Sequence, residues 1–221
     1  MSLDRQELLL KMYDQLFNDI NRHIVVIWQS ISVLIGAFAI FALVEKKIIS
    51  IDLASSIIML LLAWLISHLY DSAYWYNRNI TMIANIERQF LLKEDLKNIH
   101  YYFGKHRPVK AMLTHLKIQY ALGIGLGSIV LLYHFFIRIV PGFGSSFRNI
   151  DPVRSLPYLV FFASFFFLKW IRKNRRDSYR EFLDNSPGIE VDTTGIKYGV
   201  GHGGKEKDKK ALSVYIKKIR G

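Results

Sequence analysis

The run from Ile24 to Val44, IVVIWQSISVLIGAFAIFALV, carries no ionisable side chain in 21 consecutive positions. A helix of that length rises about 30 Å, the thickness of a bilayer's hydrocarbon core. In lipid the backbone must satisfy its own hydrogen bonds, which selects an α-helix. Three further runs share this character. Ile57 to Tyr70 reads IIMLLLAWLISHLY, and its uncharged stretch reaches back to Leu53. Ile118 to Ile137 carries only His134, and Leu156 to Leu168 is rich in Phe. The expected fold class is an all-α membrane protein with four transmembrane helices, at about 24–44, 53–75, 118–137 and 154–171, and with long cytoplasmic helical extensions on the first two. The fourth is the shortest and reaches spanning length only if Val153 and Ile171 lie at the two interfaces.

Charge sets the orientation. The segment before span one, the segment between spans two and three, and the stretch from Lys169 to the end hold 3, 8 and 14 Lys and Arg, while the first loop holds 2 and the segment between spans three and four, counted with Arg138 and Arg154, holds 3. Lys and Arg near span ends stay in the cytoplasm. Both termini and the middle segment are therefore expected there, in a bacterial inner membrane. The net charge of +12 follows from the same bias and from attraction to anionic lipid. Nucleic acid is the less favoured partner. Asp4, Glu7, Asp14 and Asp19 near the start do not suit a basic leader before an apolar core, so no cleavable signal peptide is expected. There is no cysteine, so disulfides and thiolate metal sites are excluded. No phosphate loop, zinc-protease motif or nucleophile elbow occurs, and no enzyme activity, cofactor, catalytic residue or metal ligand is expected.

The chain divides into a cytoplasmic amphipathic helix (1–23), a transmembrane hairpin (24–76), a cytoplasmic helix with a basic elbow (77–117), spans three and four (118–171) and a basic tail with a Gly-rich linker (172–221). Between Ala73 and Phe90 no Pro or Gly interrupts AYWYNRNITMIANIERQF, so one helix is expected to leave the membrane and continue to about Asn98. Tyr70, Tyr74, Trp75 and Tyr76 form an aromatic belt at its exit. Leu9, Tyr13, Leu16 and Ile20 repeat at helical spacing on the first helix, and Ile80, Ile83 and Phe90 on the second. These stripes must be buried on each other, on neighbouring subunits or on a cytoplasmic partner. Leu9, Leu16, Ile83 and Phe90 are the candidate assembly residues. Ser32 with Gly36, and Gly123 with Gly127, are small-residue pairs suited to close helix packing. Gln29, His68 and Asp71 are candidate intramembrane polar or gating groups, and His134 and Arg138 lie one turn apart near the outer end of span three. Arg78, Arg172, Lys173, Arg175 and Arg176 are candidate contacts to lipid phosphate or other anions.

His100 to Lys117 mixes aromatic and basic residues and is read as an elbow lying among headgroups, with single-stranded nucleic acid the weaker reading. Ser186 to Lys205 holds seven Gly or Pro and is read as a flexible linker. Lys209 to Gly221, KKALSVYIKKIRG, is short, basic and amphipathic, and suits docking to a partner or a membrane surface.

The hairpin has long helices before Trp28-Gln29-Ser30 and after Tyr74-Trp75-Tyr76-Asn77-Arg78-Asn79. In this it resembles small bacterial membrane effectors of the SLATT type and other accessory membrane proteins of antiviral systems. The resemblance covers about residues 1–98 and rests on architecture. It implies a homo-oligomer that permeabilises or depolarises the membrane when a cytoplasmic sensor fires. The alternative is a non-conducting anchor or scaffold that recruits a cytoplasmic partner.

Overall fold

The computed structural model describes residues 3–29, 31–92, 95, 112–144 and 151–186. Among these the fold is helical throughout, with no strand. Helix α1 runs Leu3–Gln29, α2 Ile31–Glu45, α3 Ile51–Phe90, α4 Thr114–His134 and α5 Leu156–Asp184. Helix α4 ends in a π turn at Phe135–Ile139 and a 3-10 turn at Val140–Gly144, and a 3-10 turn at Pro152–Ser155 leads into α5. Three helical segments are long and apolar enough to cross a membrane: Ile51–Phe90, Thr114–Phe143 and Pro152–Asp184. The first expected span falls on the end of α1 and on α2, an apolar helix of 15 residues, with Ser30 outside the described residues.

Helix α3 is the axis. It packs against each of the other four helices. Over its most apolar stretch it is 61% buried, against 22% for the α4 segment and 11% for the α5 segment. It runs 40 residues without a break, because nothing between Ile51 and Phe90 lacks an amide hydrogen or demands a left-handed backbone. Ser50 caps its start, the hydroxyl accepting from the Leu53 amide at 3.2 Å. The preceding turn is closed at the end of α2 by paired bonds from Lys47 N to Val44 O and Ile48 N to Leu43 O, with Lys47 in the left-handed region at φ 58°. That turn reverses the chain and lays α2 and α1 antiparallel along α3.

Three apolar clusters follow one another down α3. Ala37, Ile58, Met59, Leu62, Leu65 and Val130 join α2, α3 and α4. Leu69, Ala73 and Leu116 form a smaller one at the middle. Leu16, Ile20, Ile83 and Ile86 join α1 to the far half of α3, with Leu9, Tyr13, Phe17, Ile80 and Phe90 packed around them.

Helix α3 stops eight residues short of the expected Asn98. Leu91 closes the last turn with a bond to Glu87 O and then adopts an extended backbone at φ −75°, ψ 129°. The Asp95 carboxylate accepts from the Leu92 amide at 2.8 Å, a bond that holds Leu92 out of the α3 ladder. The greater part of the expected elbow, nearly all of the linker and the basic segment 209–221 lie outside the described residues.

Candidate functional site

At one end of the bundle a carboxylate is buried among three helices. Asp52, in the first turn of α3, is 2% exposed, and His134, the last residue of α4, is fully buried. His134 Nε2 lies 2.9 Å from Asp52 Oδ1, and His134 Nδ1 lies 3.1 Å from the Tyr158 hydroxyl on α5. Arg138 donates from Nε to Asp52 Oδ1 at 3.0 Å and from Nη2 to Oδ2 at 2.8 Å. With Asp52 ionised, Nε2–H of His134 donates to it and Nδ1 accepts from the tyrosine hydroxyl. The π turn at 135–139 widens the helix by one residue just where Arg138 must share a face with His134.

Two more charged side chains, Asp151 and Arg154, lie against this pair. Asp151 lies 3.7 Å from both Arg138 and Arg154, and Arg154 donates to the Arg138 carbonyl at 3.4 Å. Gly142 leaves room for it, since a Cβ there would come within 3.3 Å of Arg154 Nη1. Two carboxylates face two guanidiniums around the His134 ring. Each carboxylate has a guanidinium partner, and the hydrogen bonds join α3, α4 and α5 as a clasp. Among the described residues no cluster of His, Asp and Glu suits a metal ion.

A second polar layer lies nineteen residues further along α3, about 28 Å at 1.5 Å per residue, close to the hydrocarbon thickness of a bilayer. Here Asp71 meets Arg175 Nε of α5 at 2.8 Å, and the Arg175 guanidinium sits 5.2 Å over the Tyr74 ring. Arg78 sits over Trp75 at 4.9 Å and Phe182 at 5.6 Å. Thr81 and the Tyr179 hydroxyl are 3.3 Å apart and buried. Two of the five cations expected to meet phosphate are thus turned onto aromatic rings and a carboxylate of their own chain. Lys173 is exposed, and Arg172 and Arg176 line a cavity.

Of the three gating candidates, His68 and Asp71 are not brought together. His68 packs against Trp64, with ring centroids 4.4 Å apart, while Asp71 turns to Arg175. The Gln29 side chain lies outside the described residues. Gly123 and Gly127 both pack on α3: a Cβ at Gly127 would meet Leu62 at 3.3 Å, and one at Gly123 would meet Ile66 at 3.6 Å. A Cβ at Gly36 would meet nothing within 4 Å, and Ser32 is exposed. Leu9, Leu16, Ile83 and Phe90 pack on one another inside the chain. The antiparallel hairpin places their stripes opposite each other, and burial within one chain costs no association entropy.

The far half of the hairpin also holds a buried acid. Tyr13 donates to Glu87 Oε1 at 3.1 Å. Burial pushes the Glu87 carboxyl up to about 7, offset in part by that hydrogen bond. Burial and the Glu87 charge push the Tyr13 hydroxyl to about 12.

Asp52, Tyr158, Asp151 and Arg154 were not legible as one site. The signal was the pairing of a lone acid at the start of span two with His134 and Arg138 at the end of span three, ends that lie on the same side in any hairpin arrangement. Fold and geometry define a helical chain compatible with a multi-pass membrane protein. No protein-family model matches the chain, and no curated protein or solved structure matches it.

Proposed function

We propose that this chain is a four-span protein of a bacterial inner membrane, with both termini cytoplasmic. In this reading it assembles with copies of itself and acts as a membrane effector or pore controlled through its cytoplasmic helices. The observation that carries the proposal is the open face of α2. Ile35 is 66% and Phe38 67% exposed, Ser32 is exposed beside them, and Gly36 has no neighbour across it. Small residues flanked by large apolar ones suit close contact between helices in lipid. The stalk stripes are already used within the chain, and the reading assigns self-association to this face of α2. Because α3 fills the centre of one chain, any conducting path runs between copies. The resemblance to SLATT-type effectors is what extends the proposal to antiviral defence.

The test is the mass of the protein in mild detergent together with ion flux from liposomes. Oligomers that release ions, and a Gly36→Leu variant that is monomeric and silent, support the proposal. A monomeric parent that releases no ions overturns it.

One observation favours a second reading, the non-conducting scaffold. On α1, Leu8 at 58% and Met12 at 40% exposure lie one turn apart and face away from α3, an apolar surface for a cytoplasmic protein partner. Flux separates the two, since the scaffold binds its partner without releasing ions.

A further inference from the structure

A cavity of about 450 Å³ opens between α3, α4 and α5 at the Asp71 end of the bundle. Its described lining is Tyr70 and Ala73 of α3, Lys117 and Tyr120 of α4, Arg172 and Arg176 of α5, and Met112. Three cations from two helices face one space, and among the described residues no carboxylate lines it. Of the neighbouring acids, Asp71 is engaged by Arg175 at 2.8 Å, while Asp177 lies 3.5 Å from Arg176 and offsets part of that one charge, which leaves Lys117 and Arg172 as the principal cations of the space. Tyr70 and Tyr120 line the same cavity and meet at a tilt of 51°, with ring centroids 6.0 Å apart. Like charges converge on an open space at a cost in repulsion, which an anion removes.

Arg172 and Arg176 also line a neighbouring cavity of about 550 Å³, which adds Phe166, Lys169, Trp170 and Lys173. Phe166 and Trp170 are 64% and 60% exposed. They lie toward the apolar half of α5, Trp170 two residues and Phe166 six residues before Arg172. A group bound across both cavities meets cations at one end and an exposed aromatic surface at the other. Free phosphate would use only the first. A phospholipid uses both, its phosphate on Lys117, Arg172 and Arg176 and an acyl chain along Phe166 and Trp170.

We infer that this pair of cavities is a binding site for the headgroup of an anionic phospholipid. The inference rests on the reading that the bundle crosses a membrane, with the Asp71 layer at headgroup level. Basic pockets between spans on the cytoplasmic side are suited to this chemistry.

The full chain, purified in mild detergent, is titrated with phosphatidylglycerol, phosphatidylcholine and inorganic phosphate. Phosphatidylglycerol is expected to bind tightest. Lys117→Gln with Arg172→Gln is expected to weaken it about thirtyfold, at roughly fivefold for each cation. Lys117→Arg with Arg172→Lys keeps both charges and is expected to bind within about threefold of the parent, which guards against a folding defect. Lys46→Gln with Arg180→Gln removes the same charge outside the cavities and is expected to change little. The site is overturned if the Gln pair binds like the parent, if the outside pair loses as much, if phosphatidylcholine binds equally, or if inorganic phosphate competes as well as the lipid. Carbonate extraction of cell membranes tests the underlying reading separately. A chain that leaves the membrane fraction overturns the membrane reading and this site with it. A retained chain whose Gln pair binds like the parent overturns the site alone.

Discussion

Asp52 and Arg138 stand 86 residues apart in the chain and meet through two hydrogen bonds, of 3.0 and 2.8 Å, with the carboxylate 2% exposed and the guanidinium 31% exposed. Both oxygens of Asp52 are used, and His134 takes a second bond on Oδ1. Such a bidentate, charge-assisted pair fixes the angle as well as the distance between the helices that carry it. Here it fixes the start of α3 to the end of α4, and His134 carries the link on to Tyr158 of α5. One end of the bundle is thereby locked, while the other is held by Asp71–Arg175 and by aromatic contacts.

Removing one partner of this pair leaves the other buried and unpaired. Asp52→Ala is expected to cost about 3 kcal/mol, the low end for a buried pair because Arg138 keeps some access to solvent. Arg138→Ala should cost less, since His134 still donates to Asp52. The double variant should lose at least about 1 kcal/mol less than the sum of the two, as coupled contacts do. Thermal unfolding of the protein in detergent measures all three. Strict additivity would show that the clasp carries no energy of its own.

Glu87 predicts a pH dependence at the far end of the hairpin. Its carboxyl titrates near 7 in the folded chain, above its ordinary value of 4.5. The folded state therefore holds the proton more tightly than the unfolded state. That contribution to stability is full below 4.5, declines as pH rises, and is lost above about 7. Glu87→Gln keeps the contact with Tyr13 and removes the titration. The difference in unfolding temperature between parent and variant should grow from about pH 5 to about pH 8 in favour of the variant. An unchanging difference would place Glu87 in contact with water.

Much of the frame was legible because it is periodic or local. The uncharged runs marked the apolar helices. The spacing of Leu9, Leu16, Ile83 and Phe90 marked two stripes, and Gly123 with Gly127 marked a close approach. Which surfaces those features meet is not local information. Gly127 faces Leu62 and Met59, whereas Gly36 faces nothing, although both sit in small-residue pairs of the same spacing. Asp52, at the very start of its helix, gave no periodic signal at all. Its direct partners, His134 and Arg138, come from the far end of α4, and only the packed bundle brings them within 3 Å. Arg78 and Arg175 likewise read as phosphate ligands from their position after apolar runs, while the aromatic rings and carboxylate that engage them depend on the alignment of α3 with α5.

The proposed topology places the two polar layers of the bundle on opposite sides of the membrane. A reporter that is active only in cytoplasm should work when fused to residue 221 and fail when fused after Lys47. The opposite pattern would invert the protein. It would place the Asp52 clasp in the cytoplasm and the cavity of Lys117, Arg172 and Arg176 on the outer surface.

Three glycines predict three different outcomes for one substitution. At Gly127 a new Cβ would come within 3.3 Å of Leu62 and 3.7 Å of Met59, side chains held in the core of α2, α3 and α4. Gly127→Leu should separate α4 from α3 at a cost of about 1–3 kcal/mol, the usual range for overpacking. Gly125 has nothing within 4 Å of a new Cβ, so Gly125→Leu should leave the fold intact and gain up to about 1 kcal/mol from helix propensity. Gly36 is equally open within one chain, so Gly36→Leu should also preserve or raise the stability of the single chain. If α2 meets a neighbouring copy, that variant alone combines an intact fold with lost assembly. Unfolding temperature and detergent mass, measured on all three variants, separate the cases. Should Gly36→Leu assemble like the parent, the open face of α2 lies against lipid and the homo-oligomer is formed elsewhere or not at all.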